Sequence, residues 1–103
     1  MDIRFFNGEL YEFLISQDDV LVARINKGIE LLEKYGQNLR FPHSKKVGEG
    51  VFELRILGHR SLRILFGFEH GGAVILQAFF KKSQRIPNRE IRLAEKRLHS
   101  SRE

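Results

Sequence analysis

The chain has no cysteine among its 103 residues, which excludes a disulfide framework and a thiolate zinc site and fits a reducing compartment; the expected location is cytoplasmic. Long apolar runs are missing as well. Hydrophobic stretches last only a few residues, so no membrane-spanning helix is expected, and the opening Met1-Asp2-Ile3-Arg4 does not read as a secretory signal. Low-complexity tracts, internal repeats and linkers are also lacking. The four histidines are scattered, with neither cysteine nor a paired carboxylate motif beside them, so the spacing predicts no metal site and no cofactor.

What is present suits one small domain spanning residues 1–103. Hydrophobic residues make up 42% of the chain and nine side chains are phenylalanine, enough to bury a core. Charge is divided along the sequence. Residues 1–39 carry 4 basic and 7 acidic side chains, a net −3, whereas residues 40–103 carry 14 basic and 6 acidic, a net +8. A concentrated positive surface steers polyanions towards itself, which makes nucleic acid the first partner to consider; a solvated basic surface without a ligand is the alternative.

The pattern predicts a short strand over Ile3 to Phe6, then a helix over Glu9 to Gln17 with Leu10, Phe13 and Leu14 at helical spacing. Asp18-Asp19 caps a second helix whose stripe is Leu21, Ile25, Leu32 and Tyr35, ended by Gly36, with Gly28 marking a close approach to a neighbour. After a polar connection through Pro42, three strands follow as a meander: Val51 to Leu57, Leu62 to Phe68 and Ala73 to Lys81, split by Gly58-His59-Arg60 and His70-Gly71-Gly72. A final helix over Asn88 to His99 carries Ile91, Ala94 and Leu98 on one face. The expected class is α+β: a mainly antiparallel sheet with two N-terminal helices on one face, a C-terminal helix, and the other face free.

Strand alternation then places particular side chains together. Phe52, Leu54 and Ile56 must share the core with Leu62, Ile64 and Phe66, and pairing 52 with 66, 54 with 64 and 56 with 62 sets Arg55 directly opposite Arg63. Like charges across a strand pair are unfavourable, which points to an anion that neutralises them. With Val74, Leu76, Ala78 and Phe80 inward, Gln77, Phe79 and Lys81 face outward and Phe79 lies beside Arg63. Guanidinium groups beside an aromatic ring suit the phosphates and bases of single-stranded RNA. Two alternatives stay open: Phe80 is the outer ring, or the arginines pair with Glu53 and Glu69. Two flexible basic segments border this face, His43-Ser44-Lys45-Lys46 and Lys81-Lys82-Ser83-Gln84-Arg85. Lys45, Lys46, Phe79, Lys81 and Arg85 are therefore candidate RNA contacts.

The stretch from Pro42 to Leu98, through Pro42-His43-Ser44-Lys45-Lys46, Phe52-Glu53-Leu54-Arg55 and Lys81-Lys82 to the last helix, resembles the RelE/ParE superfamily of bacterial type II toxins, in particular its phage-derived, HigB-like branch. The resemblance implies a RelE-like fold and a small antitoxin partner, often of the helix-turn-helix type. Its members include ribosome-dependent mRNA endoribonucleases and proteins that inhibit DNA gyrase, so the fold alone does not choose between them. A nontoxic module that only binds nucleic acid or antitoxin is a third reading. On the endoribonuclease precedent, Arg63 matches the arginine near the scissile phosphate, Arg55 a basic position on the preceding strand, and Lys82 the basic position after the last strand. The implied chemistry is attack of an RNA 2′-hydroxyl on its own phosphodiester, without a metal. Several relatives place a tyrosine or histidine near the cut in the C-terminal region, but Tyr11 and Tyr35 are the only tyrosines here. Proton transfer then falls to His43, to a lysine of lowered pKa, or to His99. His43 has an alternative role in shaping the start of a strand through its backbone.

Overall fold

Side-chain alternation in the second half of the chain and helical periodicity at its two ends produce a five-stranded mixed sheet with helices on both faces. The structure is a computed structural model, and it describes residues 1–56, 58 and 61–102. The order is β1 (Ile3–Phe5), α1 (Gly8–Ile15), α2 (Asp19–Tyr35), a short 3-10 turn at Gly36–Asn38, β2 (Ser44–Gly48), β3 (Val51–Arg55), β4 (Leu62–Glu69), β5 (Gly72–Phe80) and α3 (Asn88–Ser101). In space the strands run β1-β5-β4-β3-β2; β1 joins β5 in parallel and every other pair is antiparallel.

The helix starts follow from local chemistry. Asn7 and Asp18 each accept a hydrogen bond from the backbone N–H three residues on, at 2.9 Å, satisfying donors that the first turn leaves unpaired. The two helices bury Leu14, Leu21, Ile25 and Leu32 against Leu54, Ile56, Leu62, Ile64, Phe66 and Ile75 of the sheet. Gly28 is the close approach expected of it: a Cβ there would meet Ile56 Cδ1 at 3.0 Å and Leu54 Cδ2 at 3.7 Å.

Three expectations need correction. First, the second face of the sheet is not free. Val51, Leu65, Val74 and Leu76 make an apolar patch there, and Ala94 and Leu98 of α3 cover it. Second, Val74 and Leu76 do not face α1 and α2. A bulge pairs Leu65 with Gln77 but Phe66 with Ile75, so the extra residue, Leu76, shifts the alternation; Ile75 joins the first core while Val74 and Leu76 join the second. Ala78 keeps its predicted side, and Phe80 packs edge-on against Phe13 of α1. Third, the connection through Pro42 contains β2. Ser44, Lys45 and Lys46 pair with Leu54, Glu53 and Phe52, so backbone bonding to β3, not apolar alternation, holds this edge strand. The turn at His59-Arg60 lies outside the described residues. Among the described residues no helix is long and apolar enough to cross a membrane.

Candidate functional site

The β3–β4 ladder pairs Phe52 with Phe66, Leu54 with Ile64, and Arg55 with Arg63 at its end, as burial of the apolar rows requires. Both arginines therefore share the face that carries α3. Glu53, two residues before Arg55 on the same strand, lies on that face too. Its Oε1 is 3.2 Å from Arg55 Nε and 3.1 Å from Arg63 Nε. One carboxylate thus bridges two guanidinium groups, and no external anion is needed to account for their adjacency. The Glu53 and Arg63 side chains are only 6% and 8% exposed, whereas Arg55 is 33% exposed. Arg63 also donates from Nη1 to the Leu62 carbonyl at 3.0 Å. Glu69, the other partner considered, pairs instead with Arg4 and accepts from Ser101.

Above this triad lies a cleft of about 450 Å³ between β2, the segment after β5, and the start of α3. Lys45, Lys46, Arg55, Lys81 and Arg85 line it with Glu53, so positive charge predominates. Lys81 is positioned by its backbone N–H, which donates to the Ser61 carbonyl at 2.6 Å. Its ammonium is held below the ordinary lysine range, first by burial and then by the Arg63 guanidinium, with Arg55 and Lys45 acting in the same sense and Glu53 opposing them. Fixed guanidiniums, an ammonium that gives up its proton more readily, and flanking lysines are groups whose chemistry suits an anion such as a phosphodiester. Among the described residues no group of three histidine, aspartate or glutamate side chains is placed to hold a metal ion.

The structure brings Arg55, Arg63, Lys45, Lys46, Lys81 and Arg85 together, with Arg63 as buried support beneath the cleft. Lys82 is exposed and does not line it; Lys81, the inner residue of the pair, does. Phe79 is beside Arg63 in the ladder and on the predicted face, but it packs with Ile86 into the second core, so it is no open stacking platform. His43 lines a different cavity, against α2, which shares Arg55 with the cleft. Its carbonyl accepts from the Arg55 N–H at 2.9 Å, so its backbone does shape the start of the sheet edge. His99 is exposed on α3. Gln84, from the segment expected to border this face, lines the cleft too; Val47, Ile86, Asn88 and Ile91 complete it and were not anticipated, since a face read as free offered no reason to look to the last helix.

A family model describing phage-derived Gp49-like proteins matches residues 9–99. No curated protein matches the chain. Among solved structures, a chain of the YoeB–YefM complex from Staphylococcus aureus is similar, with a TM-score of 0.60 at 15% identity; the match covers 78% of this chain and 95% of that one. At that identity the likeness is one of fold. With nine-tenths of its length inside the family match, this chain belongs to the phage-derived Gp49-like family.

Proposed function

We propose that the chain is the toxin of a toxin–antitoxin pair, of the HigB-like branch, and that it cuts mRNA in the cleft between β2 and α3. The observation that carries this reading is the cluster of Arg55, Lys81, Lys45 and Lys46 around a cavity whose floor is fixed by Glu53 and Arg63. The resemblance over residues 42–98 supports it, as does a structural neighbour solved within a two-protein complex. In the reaction the RNA 2′-oxygen bonds to the adjacent phosphorus and the bond to the 5′-oxygen breaks, leaving a 2′,3′-cyclic phosphate and a 5′-hydroxyl. The 2′-proton leaves to water, and the Lys81 ammonium, acidified by its neighbours, supplies a proton to the departing 5′-oxygen. Arg55 and the buried Arg63 offset the charge that grows on the phosphoryl oxygens. Translating ribosomes would present the mRNA in a suitable geometry, and an antitoxin would silence the site between uses.

Primer extension on translated transcripts after induction tests this directly. New 5′ ends should appear with the wild-type chain and vanish with Arg55→Gln and Lys81→Ala, two partly exposed positions whose loss leaves the cores intact. Intact transcripts in growth-arrested cells would reject mRNA cleavage, and inhibition of gyrase supercoiling by the purified chain would replace it.

A further inference from the structure

The second cavity, that of His43, has a volume of about 250 Å³ and is walled by Arg24, Lys27, Gly28 and Leu31 of α2 together with His43 and Arg55. Its chemistry is mixed. Its walls are mostly apolar, with Gly28 and Leu31 among them, and Arg24, Lys27 and Arg55 are the cationic residues that contribute to the lining. The Nδ1 atom of His43 is buried and has no hydrogen-bond partner among the described residues. Buried ring nitrogens are nearly always paired, so this atom points to a group supplied from outside. On the Arg55 side stands Phe41, 68% exposed, with its ring centroid 5.4 Å from the guanidinium carbon.

A fitting ligand must offer negative charge compatible with Lys27 and Arg55, an apolar or flat body to the wall at Leu31, and a hydrogen-bonding edge to His43. Inorganic phosphate and an acidic side chain can each meet the charge and hydrogen-bond His43, but neither offers a flat body to the apolar wall. An unpaired nucleotide meets all three. Arg55 lines this cavity and the cleft alike, so a strand whose phosphodiester lies in the cleft has a neighbouring nucleotide within reach of the cavity. We infer that the cavity against α2 is a base pocket, holding the nucleobase of an unpaired nucleotide next to the bond in the cleft, with His43 reading the edge of the base. The inference rests on the RNA reading of the cleft.

Mononucleotides contain no internucleotide bond, so their binding reports on the pocket separately from cleavage. With the intact chain, titration of the four ribonucleoside 5′-monophosphates followed by NMR should shift the His43 ring and Leu31 methyl signals. Ribose 5-phosphate should bind at least tenfold more weakly. His43→Gln should alter the order of preference among the four bases, and Leu31→Trp, which fills the cavity, should lower affinity about tenfold. If Leu31→Trp fails to fold, Lys27→Gln takes its place, with a several-fold loss expected for every nucleotide. Equal binding of ribose 5-phosphate, or nucleotide shifts confined to the Lys45 and Lys81 side, would overturn the pocket. So would an Asp- and Glu-rich peptide that moves the His43 signals when nucleotides do not, since that result would make the cavity a protein-docking site. Cleavage without these shifts removes the pocket alone; the shifts without cleavage remove the nuclease reading alone.

Discussion

Glu53 sets the character of the cleft because a single carboxylate oxygen serves two arginines while it and Arg63 are almost dry. Removing one member of a buried ionic group leaves the rest uncompensated, which costs about 3–5 kcal/mol. Glu53→Ala should therefore lower the urea midpoint sharply. Inorganic phosphate should restore part of that loss, and restore more in the variant than in the wild type, since the vacated space offers an anion two guanidiniums. Lys81 gives a pH signature. Phosphate binding needs its ammonium, and its pKa lies below the ordinary lysine value of about 10.4, so RNA affinity should decline on the alkaline side before an ordinary lysine would titrate. Folding carries the opposite sign: the unfolded chain holds this proton to higher pH, so the Lys81 contribution to stability rises as pH climbs from the depressed value towards the ordinary one. Lys81→Arg should flatten the affinity profile, as fluorescence anisotropy of a labelled oligonucleotide at constant ionic strength will measure.

The helix α3 closes one side of the cleft with Ile91 and anchors itself farther along with Ala94 and Leu98. Leu98 is 2% exposed, and Leu98→Ala should cost about 2–5 kcal/mol, seen as a lowered denaturation midpoint. Contact between α3 and the sheet edge is tight as well: a Cβ at Gly48 would lie 2.7 Å from Ile91 Cγ2 and 2.9 Å from Glu95 Oε2. Where burial dictated the pairing, the sequence was legible. The Arg55–Arg63 register and the Leu21, Ile25 and Leu32 stripe of α2 follow from apolar spacing, and the Asp18 cap from its side-chain oxygen; Tyr35, expected on the same stripe, is instead 47% exposed at the helix end. The site was legible only in part. The bulge at Leu76 turns on local backbone geometry, and β2 is held by ladder bonds beneath exposed lysines, so neither leaves a hydrophobic pattern to read. The covered second face did leave one: Leu65 sits at an outward position between Ile64 and Phe66, and an apolar residue there asks for a cover.

Across the whole molecule, five of the fourteen cations from residue 40 onward meet at one cleft, brought there by β2 and β3 from one side and residues 81–85 from the other. Each cation that neutralises a phosphate of a single strand contributes about −0.7 to the slope of log affinity against log salt. Lys45→Ala should make that slope shallower by about this amount, whatever the oligonucleotide sequence, because a point charge on an edge strand reads no bases. Anisotropy titrations over a range of salt concentrations will show it. The path of the chain through the sheet has a consequence of another kind. The first strand lies parallel to the last, with Ile3 beside Ala73, so the opening segment has no partner until most of the polypeptide has been made. During synthesis the early helices must wait without the surface they cover, and the cleft takes shape only after the segments at residues 81–91 have been made.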